Sequence, residues 1–172
     1  MNPNEVILVN EKDEVLGFMD KMEAHLQGRL HRAISVFIFN TKNEWLLQQR
    51  APHKYHSGLK WSNAACTHPM SNEMEIDAAN RRLTEEMGME SELEKLFSFQ
   101  YKAELDNELI EHELDHVFVG KTDNIPVVNE QEVCNYRYIS TTDLKKELET
   151  KPENFSAWFK LLFDRIQKEI EK

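Results

Sequence analysis

Cysteine is scarce: Cys66 and Cys134 are the only 2 among 172 residues. That excludes a disulfide framework, and 7 methionines suit a reducing compartment. Basic side chains are outnumbered as well. Against 31 Asp and Glu stand 21 Lys and Arg, a formal net charge of −10, which argues against a general nucleic-acid-binding surface. No apolar run comes near the roughly 20 residues of a membrane span. The opening MNPNEVILVNEKDEV has no basic-then-apolar signal pattern. No Pro/Gly-rich linker, internal repeat or low-complexity tract divides the chain. The expectation is a single cytoplasmic domain, monomer or homodimer, with no nucleic-acid or membrane partner.

With 40% hydrophobic and 30% charged residues, the chain reads as globular and long enough to bury a core. Glu5–Asn10 and Glu14–Met19 read as a strand pair. Asp20–Gln27 reads as a short helix with Asp20 as N-cap and Gly28 as its stop. Arg29–Asn40 and Glu44–Arg50 form a strand hairpin, followed by a polar loop over 50–60. Trp61–Ala65 reads as a short strand leading to Cys66, and 67–73 as a turn. Ile76, Ala79, Leu83 and Met87 make an apolar helix face that ends at Gly88. Further strands are read at Leu96–Glu104, Ile110–Lys121 and Glu132–Ser140. Helices follow from Thr141 or Thr142 to about Thr150, and over Ser156–Lys172, whose apolar face suits core packing or dimerisation. Many strands with few helices between them point to α+β, a mixed sheet flanked by helices.

The reactive residue types concentrate between Trp61 and Gly88. Cys66 lies two residues from His68, ahead of a turn, where a metal or nearby cations would lower its pKa. Cys134 is assigned to structure. His25, His31, His68, Glu111 and Glu113 are candidate metal ligands, of a kind that suits zinc, manganese, iron or a magnesium-like ion. Glu111 and Glu113 are two apart on one strand and share a face. The apolar run 117–119 after them implies burial, and buried like charges need a cation or a proton. His53, His56, His112 and His116 are left as ordinary packed or surface residues, the commoner fate of a lone histidine. Trp158 reads, on spacing alone, as a core aromatic. Lys21, Arg50, Lys54, Arg81 and Arg82, if brought together beside Glu85 and Glu86, would suit a diphosphate bound partly through magnesium.

At this point the residues resemble a family. EMEIDAANRRLTEEMGM, from Glu73 to Met89, resembles a Nudix box, with Glu73, Arg81, Leu83, Glu85, Glu86, Gly88 and Met89 in register. Thr67 stands where that pattern has glycine, and Arg82 replaces a glutamate that binds catalytic magnesium in the hydrolases. Trp61–Pro69, Arg29–His31, Glu111–Glu113 and Phe155–Trp158 together are similar to the type 1 isopentenyl-diphosphate isomerases. The likeness runs from about Asp20 to Trp158.

The resemblance implies a Nudix-type α/β/α sandwich over 1–172, with a strand/helix extension at about 1–28. It implies a double-bond shift between isopentenyl and dimethylallyl diphosphates. Cys66 and Glu113 would be the proton-transfer groups on opposite faces of the substrate. Tyr101 would hydrogen-bond Glu113, and the Trp158 face would stabilise a carbocation. One divalent metal, Mn2+, Zn2+ or Mg2+, would be buried among His25, His31, His68, Glu111 and Glu113. Glu86 and the Cys66 carbonyl would hold Mg2+ with the diphosphate, and Lys21, Arg50, Lys54 and Arg82 would grip it. The other enzyme reading is a Nudix diphosphohydrolase acting on a nucleoside or prenyl diphosphate. The non-enzyme reading is a metal-stabilised binding domain.

Overall fold

The computed structural model describes residues 4–172, so positions 1–3 of the expected extension lie outside the described residues. Among the described residues nine strands form one mixed sheet. They are β1 (Glu5–Val9), β2 (Val15–Asp20), β3 (His31–Phe39), β4 (Trp45–Arg50), β5 (Trp61–Ser62), β6 (Ala65–Thr67), β7 (Leu93–Glu104), β8 (Ile110–Lys121) and β9 (Val133–Ile139). Four α-helices accompany them: α1 (Lys21–Gln27), α2 (Glu75–Met87), α3 (Thr141–Thr150) and α4 (Ala157–Ile170). No helix among the described residues is long and apolar enough to cross a membrane.

β3 is the organising strand. It runs antiparallel to β6 and parallel to β8, and it is almost wholly buried. Its period of two sends alternate side chains to opposite faces. Ile34, Val36 and Ile38 pack with Ala78, Ala79, Leu83 and Met87 of α2. Phe37 and Phe39 pack with Leu144 of α3 and Phe159, Leu162, Phe163 and Ile166 of α4. The sheet is thus covered on both faces, an α+β arrangement in three layers. The apolar face of α4 formed by Phe159, Leu162, Phe163 and Ile166 is spent inside the chain's own core.

Local signals explain where the helices begin and end. The Asp20 side chain accepts from Glu23 N–H at 3.1 Å, and Gly28 closes α1 in the left-handed region. α2 ends the same way at Gly88, with φ of 59°, and a Cβ there would fall 2.4 Å from the Val127 carbonyl. No side chain other than glycine fits that approach. The Ser156 hydroxyl caps α4 at Phe159 N–H and also meets the Ser62 hydroxyl at 2.8 Å. Ser156 N–H donates to the Trp61 carbonyl at 3.0 Å. These links pin the first turn of α4, and Trp158 with it, against β5.

One expectation shifts in register. Cys66 lies inside the short strand β6, directly across from Ser35 of β3, instead of following a strand. The pairing fixes its direction: Cys66 shares a face with Ser35, and therefore with the odd-numbered residues of β3 and β8.

Candidate active site

That shared face carries the chemistry. Across the parallel ladder His31 lies opposite Glu113 and Ala33 opposite Asp115, while across β6 Ser35 lies opposite Cys66. The odd positions of β8 therefore present Glu111, Glu113 and Asp115 in one row, all buried. Beyond the aromatic core this row opens into a cavity of about 360 Å³. Its walls include Cys66, His68, Tyr101, Glu111, Glu113 and Trp158, and its cationic side brings together Lys21, Arg50, Lys54 and Arg82. His25 and His31 are buried beneath it.

The histidines are set for a cation. His25 Nδ1 lies 2.7 Å from the Lys21 carbonyl and His31 Nδ1 lies 2.8 Å from the Arg29 carbonyl. A carbonyl only accepts, so each Nδ1 carries the proton and each Nε2 keeps its lone pair. Both Nε2 atoms are buried without a hydrogen-bond partner, as is Glu111 Oε2. One ligand atom each from His25, His31, His68 and Glu113 lies within 4.8 Å of the others. Burial holds all three imidazoles below their ordinary pKa, neutral at pH 7 as metal ligation requires. Orphaned lone pairs facing a carboxyl group fit a divalent ion, whose charge would ionise that carboxyl. Glu111 joins a second grouping, with His25 and His56.

The carboxyls show the same demand. Burial, with Asp115 adding to it, raises Glu113 to about 8 in the metal-free chain, although a hydrogen bond from Glu111 and the charge of Arg50 pull the other way. Asp115 is likewise raised to about 8 by burial, against the hydrogen bond that Ser35 donates at 2.7 Å. Glu111 is pushed up by burial and by Glu113.

Two expectations are corrected here. The Tyr101 hydroxyl donates to Glu111, not Glu113. Tyr101 and Glu113 are cross-strand partners, and the long phenol reaches past its partner to the diagonal neighbour. In the metal-free chain the Cys66 thiol is pushed up, not down, so the neighbouring cations alone do not acidify it. Burial dominates, and the negative charges of Asp115 and Glu86 outweigh Arg50. At neutral pH it is a thiol, able to give a proton. Its Sγ donates to Asn63 Oδ1 at 3.4 Å.

The cations are arranged less simply than spacing suggested. Lys21 Nζ lies over the Tyr55 ring at 4.5 Å, and its pKa is lowered by burial and by the charges of Lys54 and Arg82. Such mutual repulsion suits an anionic ligand. Arg50 is buried, its guanidinium 5.1 Å from the centre of the Trp158 ring and donating to the His56 carbonyl at 3.1 Å. It reaches this wall where the β4–β9 register shifts, between Gln49 and Arg50. Arg82 Nε donates to Glu86 Oε1 at 2.6 Å and to the Cys66 carbonyl at 3.3 Å. Those are the two groups expected to hold magnesium. Both are oxygen donors of the kind magnesium takes, and each already answers a cation. Arg81 pairs with Glu73 at 2.8 Å.

Several site residues escaped the sequence reading. His56 stands edge-on to Trp158 at 5.7 Å and is pushed down to about 2 by burial and by Arg50. Asn63 is buried and joins both halves of the site: its Oδ1 accepts from Trp158 Nε1 at 2.9 Å and faces Cys66. Its Nδ2 donates to the Val36 and Ala65 carbonyls. Asp115 was detectable, because it continues the two-residue spacing of Glu111 and Glu113. Glu132, in the turn before β9, had no signal. Cys134 is exposed, and His112 turns away to the Gly28 carbonyl at 3.0 Å, as its parity required.

Comparison with known proteins shows the family. The NUDIX domain profile matches residues 29–159. An isopentenyl-diphosphate Delta-isomerase from Pectobacterium atrosepticum is 51% identical over 162 residues, covering 94% of this chain and 90% of its own. An isopentenyl-diphosphate Delta-isomerase 2 from Aromatoleum aromaticum is 48% identical, covering 95% and 86%. Among solved structures, DR0079 of Deinococcus radiodurans superposes with a TM-score of 0.79 at 20% identity, over 94% of this chain and 98% of its own, a likeness of fold. The chain belongs to the NUDIX family and, within it, to the isopentenyl-diphosphate Delta-isomerases.

Proposed function

We propose that this cavity interconverts isopentenyl and dimethylallyl diphosphates, the reaction of its family, with Cys66 and Glu113 as the two proton-transfer groups. An unactivated alkene is a poor base, so an acid has to be held against it with water excluded. The isopentenyl double bond takes a proton at its terminal carbon, leaving a tertiary cation. The neighbouring carbon then loses a proton from the other face, and the double bond reforms between them. Two groups, one on each face, are therefore needed.

What supports Cys66 and Glu113 is that both line one cavity, where the one that is protonated can give its proton to the alkene and the other, ionised, can take the proton that leaves. Burial keeps the thiol protonated and raises the carboxyl to about 8. Trp158 lines the same cavity, and its ring already carries a guanidinium. A desolvated cation over an indole gains about 2 kcal/mol. Asn63 holds this ring and the thiol in one frame. Tyr101 fixes Glu111 beside Glu113.

His25, His31, His68, Glu111 and Glu113 would hold a divalent ion, Mn2+, Zn2+ or Mg2+, and Glu86 with the Cys66 carbonyl would hold Mg2+; the bound ions would sharpen the acidity of Glu113 and neutralise part of the diphosphate charge. Lys21, Lys54 and Arg82 face the diphosphate, while Arg50 lies deeper, against Trp158. The observation that carries the reading is the single cavity that joins a thiol, a raised carboxyl and an indole to a cationic mouth.

The test is incubation with isopentenyl diphosphate and Mg2+. The expected outcome is dimethylallyl diphosphate with no release of phosphate. Released phosphate without isomer would overturn the reading in favour of hydrolysis.

A further inference from the structure

A second set of metal-type donors lies on the other face of the sheet. Glu111, Glu113 and Asp115 are odd positions of β8. His116 therefore turns the opposite way, to the side on which Ile34, its β3 partner, packs against α2. His116 is 3% exposed. Its Nε2 lies 3.0 Å from Asp13 Oδ2 and 3.9 Å from Glu75 Oε1, yet it is buried without a hydrogen-bond partner. At 3.0 Å this means that the Asp13 oxygen stands off the line of the ring N–H. An imidazolium paired with Asp13 would aim its proton at that oxygen. One donor atom each from Asp13, Glu75 and His116 lies within 4.8 Å of the others. Two ligands of one tetrahedral zinc stand about 3.3 Å apart, between the two separations from Nε2.

The three side chains come from three separately anchored segments. Asp13 sits in the turn between β1 and β2. Arg32 of β3 fixes it there, donating from Nε to Oδ1 at 2.8 Å and from Nη2 to the Asp13 carbonyl at 2.9 Å. That leaves Oδ2 to face His116. Glu75 opens α2. His116 Nδ1 lies 3.3 Å from the Ser98 hydroxyl, which can accept from it and so keep the Nε2 lone pair for an ion.

We infer that Asp13, Glu75 and His116 form a second metal site, for a divalent ion of the zinc class, which fastens the β1–β2 hairpin to β8 and to the start of α2. It is separate from the site beneath the cavity, because the sheet lies between them. One imidazole and two carboxylates suit Zn2+, and the two carboxylates balance its charge. Three protein ligands leave one tetrahedral position for water. β2 runs directly into α1, so the ion would also brace the segment that carries Lys21 and His25. The inference stands apart from the isomerase reading, since this site would fill whether or not the cavity turns over substrate.

The experiment is dialysis against Zn2+, at a free concentration just sufficient to fill the unaltered chain, followed by zinc-to-chain ratios from atomic emission. Far-ultraviolet dichroism checks that each variant is folded. The unaltered chain should hold one zinc more than His116→Ala and one more than Asp13→Asn. His31→Ala, which loses a ligand beneath the cavity, should also lose one. The double variant His31→Ala/His116→Ala should lose two. A folded His116→Ala with the zinc content of the unaltered chain would overturn the inference. So would a double variant that loses no more than His31→Ala. If His116→Ala folds poorly, Asp13→Asn, at a partly exposed ligand, decides by the same count.

Discussion

Replacing Asn63 by alanine tests whether one buried amide holds both halves of the site. The change removes the acceptor of the Trp158 indole N–H at 2.9 Å and the partner of the Cys66 thiol. It also removes the donor to the Val36 and Ala65 carbonyls, at 3.0 and 2.9 Å. Asn63 is 1% exposed, so water does not readily replace it. Each of these four buried groups left without its partner costs about 1–3 kcal/mol, so at the low end the sum is about 4 kcal/mol. For a chain of this size that lowers Tm by roughly 8–16 °C. Freed from the amide, Trp158 and Cys66 lose their common frame, and a misplacement of about 1 Å reduces turnover by roughly 100-fold. Thermal unfolding followed by near-ultraviolet dichroism reads the first effect, and turnover at a temperature where the variant is folded reads the second. A variant that melts with the parent would refute the hydrogen-bond reasoning. One that melts early but turns over normally would refute the role of Asn63 as a frame.

Arg82→Glu should raise KM for isopentenyl diphosphate, because it replaces a cation of the mouth by a fourth carboxylate beside Glu85, Glu86 and Glu132; an unchanged KM would remove Arg82 from the diphosphate site. Chelation should lower Tm, since it leaves Nε2 of His25 and of His31 buried without a partner; a chelator-treated protein that melts at the parent temperature would contradict the metal reading. The chelated protein should also lose stability as pH rises. Its buried histidines have lowered pKa values, so their contribution is complete above an unfolded value of about 6.5. Glu113 and Asp115 are raised to about 8, so their contribution is greatest near pH 4 and fades as pH climbs towards 8. Between pH 6.5 and 8 only the carboxyls act, each by at most about 1.4 kcal/mol per pH unit. Asp115→Asn should flatten that decline in urea unfolding measured across the range, and an unchanged slope would count against its buried proton.

Much of the fold was legible because its signals are local. Asp20 and Gly28 bracket α1, and Gly88 ends α2, as capping chemistry requires. The two-residue period placed Glu111 and Glu113 together and turned His112 away. The misses are of another kind. Tyr101 was assigned to the wrong glutamate because a strand's parity gives the face, while the diagonal reach of a phenol depends on the built ladder. Cys66, two residues from His68 and ahead of a turn, was expected to be acidified by a metal or nearby cations. In the fold, burial and two nearby carboxylates outweigh them. His56 lies in a loop with no period, and Glu132 in a turn whose partners, Lys54 and Arg82, are 78 and 50 positions away. Contacts between such segments follow from topology, which no window of sequence contains. The resemblance to a family, by contrast, gave Trp158 a role that its helical spacing alone hid.

In the proposed reaction Cys66 and Glu113 divide the two proton transfers. The most direct test of that division is incubation with isopentenyl diphosphate in deuterium oxide, with nuclear magnetic resonance locating the label in the product. The unaltered chain should yield dimethylallyl diphosphate with solvent deuterium in a methyl group. Cys66→Ala and Glu113→Gln, both folded, should each yield no labelled product. Labelled product at the parent rate from either variant would contradict the account.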